Sequence, residues 1–144
     1  MRKGIISIGL ISILFSGCMM NNKQMVLEEP DQVKLRSFQT RTYENKSKEI
    51  VMRACIAAMQ DLSFVIDRAD MPTGTITGTK YQTGQSMRFS ITVRESADKN
   101  DKTILVRANG QQYARMGVAQ PMEEPEPYRV FFTTVDKALF LEKK

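Results

Sequence analysis

The segment SMRFSITVRE, residues 86–95, decides the fold because it carries the clearest strand pattern in the chain. Apolar and polar residues alternate along it, as they do in a strand with one buried side and one side in water. The apolar set is Met87, Phe89, Ile91 and Val93, and the polar set is Arg88, Ser90, Thr92 and Arg94. Because parallel sheets are usually covered on both faces, this alternation predicts an antiparallel sheet with one wet face.

Further strands are predicted on both sides of this segment. Residues 64–70 and 75–80 precede it, and the residues between them, Met71–Gly74, favour a turn. Residues 103–114 follow it after a polar turn. Residues 35–43 are predicted as a first strand, although their alternation is imperfect.

Two predicted helices flank the consecutive strands. Residues 47–61 place apolar side chains at helical spacing, and either Asn45 or Ser47 can cap the first turn. Residues 126–142 show the same spacing, and Pro127 suits a first helical turn. The predicted order is β-α-β-β-β-β-α. This order is typical of an α+β fold in which two helices pack on one face of an antiparallel sheet.

The first residues have the layout of a secretory signal peptide. An apolar stretch at 4–15 follows Arg2 and Lys3 and precedes the small pair Ser16–Gly17. A membrane-spanning helix needs about 20 apolar residues, and polar residues follow this stretch too soon for one. Residues 1–17 are therefore predicted to be a signal peptide.

The sequence FSGC at 15–18 resembles the lipobox of bacterial lipoproteins, with Phe15 where that family prefers Leu. The resemblance implies that the chain is cut before Cys18 and that the Cys18 sulfur receives a diacylglycerol, with palmitate-type chains. Several acyl chains on one residue would hold the protein firmly on a bilayer. The resemblance also implies outer-membrane sorting, because Met19 rather than Asp follows the cysteine. We expect residues 18–34 to be the lipidated Cys18 with a flexible tether, and residues 35–144 to be a single α+β domain.

The segment Met59–Ile66 resembles a helix-to-strand turn found in small envelope lipoproteins, with Ser63 where the pattern has Gly. Residues 46–80 are similar to the helix-grip domain of the BamC (NlpB) lipoproteins, which are subunits of the outer-membrane β-barrel assembly machinery. The resemblance implies a helix-grip fold and a periplasmic partner protein.

The chain is poor in chemistry-bearing groups. It has no histidine, so neither a Ser-His-Asp triad nor a Cys–His pair can be assembled. Cys55 lies within an apolar helix and is predicted to be a buried thiol. Asp67 and Asp70 are predicted to face opposite sides of a strand, and no EF-hand spacing is present. We therefore predict no catalytic residues, no metal site and no cofactor.

Two surfaces are candidates for interaction. The first is the long segment 113–128, which combines prolines, acids and apolar residues, since such loops are often functional; its candidate residues are Tyr113, Arg115, Met116, Met122 and Tyr128. The second is the polar side of the strand at 86–95, with Arg88, Thr92 and Arg94.

These features predict a non-enzymatic lipoprotein, anchored to the outer membrane and facing the periplasm, that serves as an accessory or scaffold subunit of a cell-envelope complex. Its expected partners are the membrane and an envelope protein. Although the net charge is +5, the basic residues are interspersed with acidic ones rather than clustered, so no nucleic-acid partner is expected. Two alternatives stay open, namely a lipoprotein that binds a small apolar ligand and a surface-exposed adhesin.

Overall fold

The computed structural model describes residues 29–96, 102–114 and 117–141. Within them the chain forms, in order, α1 (Glu29–Gln39), β1 (Thr40–Glu44), α2 (Lys48–Asp61), β2 (Val65–Asp70), β3 (Thr75–Gln82), β4 (Gln85–Glu95), β5 (Thr103–Tyr113), β6 (Ala119–Pro121) and α3 (Pro125–Leu141). The predicted signal peptide and Cys18 lie outside the described residues. None of the helices in these ranges is long and apolar enough to cross a membrane.

The six strands form one antiparallel sheet in the order β1-β5-β4-β3-β2. The strand β5 has β4 on one side, while on its other side β1 pairs with its first half and β6 with its second half. The predicted α+β class and the antiparallel sheet are confirmed, and the order of elements agrees except for two additions.

The additions are α1 and β6. Residues 35–39 were predicted as strand and residues 29–34 as tether, and both predictions are wrong, because Glu29–Gln39 is a helix. Its Leu35 and Phe38 are three residues apart and pack together against the core, which is a helical rather than a strand period. The short strand β6 lies inside the predicted loop and pairs with Gln111–Tyr113.

The core lies between the helices and one face of the sheet. The buried side of α2 contributes Val51, Met52, Ala54, Cys55, Ala58 and Met59, and that of α3 contributes Tyr128, Phe131, Phe132, Val135 and Leu139. The sheet contributes Ile76, Phe89, Ile91, Val93, Ile104, Val106 and Ala108. These strand residues alternate with residues that are at least partly exposed and mostly polar, Leu105 being an apolar one. The opposite face of the sheet is therefore in contact with water, as predicted.

The helix α2 is capped at both ends. Ser47, one of the two residues predicted to be able to cap the helix, accepts a hydrogen bond through its side chain from the backbone N–H of Ile50. At the other end the N–H of Phe64 donates to the Met59 carbonyl and the N–H of Ser63 to the Gln60 carbonyl. This pair of bonds is a Schellman motif, which requires a left-handed residue. Ser63 occupies that position, with φ of 65°.

Candidate functional site

Two of the residues predicted for interaction, Met122 and Tyr128, lie in the core. The Tyr128 side chain is 0% exposed and that of Met122 is 7% exposed. The Tyr128 ring stacks on Phe89 at 5.6 Å between centroids, and its hydroxyl donates to the Met122 carbonyl at 2.7 Å. Both residues therefore stabilise the fold and cannot line a binding surface, which corrects the prediction for them.

Of the other three candidate residues in that segment, the structure describes only Tyr113. Tyr113 is half-buried at the end of β5, where its hydroxyl donates a 3.0 Å hydrogen bond to Gln111. Arg115 and Met116 lie outside the described residues.

The second candidate surface is the wet face of the sheet. Arg88, Thr92 and Arg94 project from this face of β4, as predicted, because they alternate with the buried Phe89, Ile91 and Val93. The neighbouring strand β5 adds polar residues by the same alternation, and the pairs across the two strands are Arg88 with Gln111, Ser90 with Asn109, and Thr92 with Arg107.

On one half of this face, acidic and basic side chains are paired with each other. The carboxylate of Asp67 accepts a hydrogen bond from the Thr79 hydroxyl at 2.7 Å and lies 3.6 Å from the Arg88 guanidinium. Arg68 pairs in the same way with Asp70 at 3.1 Å. Each acidic side chain on this half thus has a basic partner.

A register shift in β2 explains why both acids are on this face. The shift lies between Ile66 and Arg68, so Asp67 and Asp70 face the same side. The prediction that they face opposite sides is therefore wrong. The backbone N–H of Thr73 donates to the Asp70 carboxylate at 3.0 Å, and this bond, with smaller contributions from the Thr73 hydroxyl and Arg68, lowers the pKa of Asp70.

The other half of the face contains a polar pocket of about 310 Å³. Arg94 and Arg107 flank it, and Thr92, Leu105 and Asn109 complete its walls. Two guanidinium groups, a hydroxyl and an amide supply hydrogen-bond donors that suit an oxyanion. Arg107 and Asn109 were not singled out from the sequence, although the alternation in residues 104–110 places both on the wet face.

An apolar groove of about 300 Å³ opens at the opposite face of the molecule, where α2 ends and α3 begins. Its apolar residues include Leu62, Phe64, Met87 and Val130, and its charged residues are Lys80, Glu124 and Glu126. The groove stops at the ring of Phe89, which is 1% exposed. It can hold one small apolar group at the surface of the core.

A third cluster of ionisable groups joins β1 to α3. Arg41 donates to Asp136 at 2.5 Å, and the Tyr43 hydroxyl donates to the other carboxylate oxygen at 3.1 Å. The Arg41 guanidinium also lies 5.2 Å from the centre of the Phe132 ring. Burial, and then the Asp136 charge, raise the pKa of Tyr43. A protonated phenol and a paired carboxylate make this cluster a structural link between two elements.

The thiol of Cys55 is buried and protonated. Cys55 is 0% exposed, and burial raises its pKa to about 12. Among the described residues no group of three His, Cys, Asp or Glu side chains could hold a metal ion.

No family model matches the chain, and no curated protein has a sequence significantly similar to it.

Proposed function

We propose that this protein is an outer-membrane lipoprotein that faces the periplasm and acts as a non-enzymatic accessory subunit of a cell-envelope complex. Acyl chains on Cys18 anchor it, and its folded domain holds a partner protein near the bilayer. The resemblance of residues 46–80 to the BamC (NlpB) helix-grip domain makes β-barrel assembly the first envelope process to test.

The observation that carries the proposal is the filling of the core. Phe89 lies 5.6 Å from the Tyr128 ring and 5.8 Å from the Phe131 ring, so aromatic side chains occupy the space between α3 and the sheet. A ligand placed there would have to displace them, at a cost of several kcal/mol for each large side chain. Recognition by this domain is therefore assigned to its surface, as expected for a scaffold.

The anchor and the partner are tested together by affinity purification of the tagged full chain from detergent-solubilised membranes. The wild-type protein should fractionate with the outer membrane and recover a specific envelope protein. The Cys18→Ala variant should accumulate as unprocessed or soluble protein. Mass spectrometry of the mature N-terminus should show acylated Cys18.

Two results would count against the proposal. An unmodified residue 18 or a retained leader would remove the anchor, and a wild-type sample with no specific envelope protein would remove the scaffold role. Protease treatment of intact cells separates the periplasmic orientation from an adhesin, because only a domain outside the cell is cleaved.

The apolar groove supports a second candidate function, the binding of a small apolar ligand. Val130 lines the groove and is 41% exposed, whereas Val33 on α1 is 68% exposed and lies outside it. If the groove binds a fluorescent fatty acid, Val130→Asp should abolish the signal and Val33→Asp should not. Equal binding by both variants would rule out the groove as the site.

A further inference from the structure

The polar pocket on the wet face contains two arginines in a fixed arrangement. Arg94 is directly opposite Leu105, and Arg107 is directly opposite Thr92. Arg94 and Arg107 are therefore diagonal neighbours on adjacent strands, and residues so related are roughly 7–8 Å apart. The pocket of about 310 Å³ lies at this diagonal, with Thr92, Leu105 and Asn109 as its other walls.

Neither guanidinium is neutralised by the part of the chain that the structure describes, where no ion pair or hydrogen bond of Arg94 or Arg107 is found. The other two arginines of the same face differ, since Arg88 pairs with Asp67 and Arg68 with Asp70. The positive charge of the face is thus concentrated at the pocket, where an anion gains most from binding.

A guanidinium can pair with either a carboxylate or a phosphate, and the backbone around the pocket is what favours carboxylates. Phosphate sites in proteins commonly use free backbone N–H groups at helix N-termini or in nests. Here β4 is paired on both sides, with β3 and β5, so its backbone groups are used by the ladders. The donors are side chains, and a guanidinium forms two parallel hydrogen bonds with a planar carboxylate.

The spacing favours an extended chain as the source of the carboxylates. Alternate residues of an extended strand lie on one side and are about 6.6 Å apart. This distance is close to the diagonal separation of the two arginines. The exposed side of Leu105, which is 39% exposed, can contact the methylene groups of two glutamates between them.

We propose that Arg94 and Arg107 bind an extended acidic segment of the partner subunit, with one carboxylate on each arginine and the two acidic residues two positions apart. This inference rests on the proposed scaffold function and names the chemistry that the partner presents. Thr92 and Asn109 add hydrogen bonds to the same segment.

The direct test measures binding of a fluorescent peptide of alternating glutamate and threonine to the purified full-length protein in neutral detergent. Arg94→Gln and Arg107→Gln should each weaken binding by about tenfold, the usual effect of removing one partner of a close charge pair at an interface. Arg88→Gln is the matched control, since it removes the same charge from the same face. This variant should change affinity by less than about twofold, because removing an exposed charge that is already paired has a small effect.

A second peptide with the same composition, but with its glutamates adjacent in one block, should bind more weakly than the alternating one. Equal affinity for the two peptides, equal weakening by Arg88→Gln, or the absence of saturable binding would overturn the inference. Tighter binding of inorganic phosphate or of phosphatidylglycerol vesicles than of the alternating peptide would overturn it as well, because the pocket would then recognise phosphate.

The failure of this inference is distinguishable from the failure of the proposed function. If the double variant Arg94→Gln/Arg107→Gln recovers the envelope partner at wild-type yield, the pocket is not the contact, although the scaffold function stands. If the wild-type protein recovers no partner, the scaffold function fails, and the inference that rests on it fails too.

Discussion

The hydroxyl of Tyr128 donates a 2.7 Å hydrogen bond to the backbone carbonyl of Met122, six residues earlier in the chain. The same oxygen accepts hydrogen bonds from the backbone N–H of Gly110 at 3.0 Å and from the Gln39 side chain at 3.2 Å. One buried oxygen therefore joins α1, β5, the segment before α3, and α3 itself.

Tyr128→Phe should destabilise the protein more than the usual loss of one hydroxyl. Three buried groups lose their partner at once, and a single unsatisfied buried polar group costs about 1–3 kcal/mol. We expect the free energy of unfolding, measured by urea titration, to fall by at least about 3 kcal/mol on that basis.

Tyr113→Phe is the control for this prediction. Among the described residues the Tyr113 hydroxyl bonds to Gln111, at the protein surface, and its removal should change stability by less than about 0.5 kcal/mol. Equal effects of the two substitutions would mean that the Tyr128 network contributes nothing beyond the ring.

The contrast between β4 and the segment 113–128 shows what local sequence can predict. Alternation in residues 86–95 depends only on the strand period, so its buried and exposed residues were both predictable. Met122 has no periodic neighbours, and its burial depends on a hydrogen bond from its backbone N–H to the Gly110 carbonyl. That contact joins distant parts of the chain, and no local pattern signals it.

The same limit applies to α1 and to the polar pocket. The helix α1 is stabilised by the packing of Leu35 and Phe38 against the core. The helix propensity of so short a segment is too weak to predict α1 from the sequence alone. The solvent-exposed side of β5 could be predicted from its alternation, but the diagonal placement of Arg94 and Arg107 depends on the register between β4 and β5. Because alternation within one strand does not give the register between two strands, the sequence could identify the face but not the pair.

Ser63→Gly should stabilise the protein. Ser63 has φ of 65° in the Schellman motif after α2, and left-handed geometry costs a residue with a side chain about 1–2 kcal/mol relative to glycine. Part of this gain is offset, because glycine adds freedom to the unfolded chain. We expect a net gain of about 0.5–1 kcal/mol, seen as a rise in Tm of a few degrees.

Thr83→Gly is the control for the freedom that a glycine adds to the unfolded chain. Thr83 is exposed and does not have a positive φ, so glycine there gains nothing in the folded state and should lower Tm. A fall in Tm for Ser63→Gly as well would show that the serine hydroxyl contributes more than its backbone geometry costs.

Gly74→Ala should be far more damaging than Gly84→Ala. Both glycines have positive φ, 72° and 79°, so alanine is strained at either position. A Cβ on Gly74 would also lie 2.1 Å from the Val93 carbonyl oxygen, a backbone atom, whereas one on Gly84 would meet no atom within 4 Å. The Gly74 turn accordingly must move away from β4, breaking the 2.7 Å bond from the Val93 N–H to the Gly74 carbonyl.

We expect Gly84→Ala to cost about 1–2 kcal/mol from the backbone geometry alone. Gly74→Ala should cost at least about 2 kcal/mol more, since overpacking and a lost hydrogen bond are added. Urea titration of both variants measures the difference. Equal costs would mean that the turn relaxes without disturbing β4.

Cys55 should make the protein less stable as the pH rises above 9. Burial raises the pKa of its thiol from 9.0 to about 12. The unfolded chain therefore loses this proton first, and the contribution of the protonated thiol, complete below pH 9, declines as the pH rises from about 9 towards 12. The free energy of unfolding of Cys55→Ala should thus fall less between pH 8 and pH 10 than that of the wild-type protein, whatever their difference at pH 8.

Two other groups must be separated from this effect. Cys18 is common to both proteins and cancels in the comparison. The variant Tyr43→Phe measures the loss of stability that comes from the raised pKa of the Tyr43 phenol, a loss that begins near pH 10. Parallel pH profiles for wild type and Cys55→Ala would show that this thiol is not protected from ionisation in the folded protein.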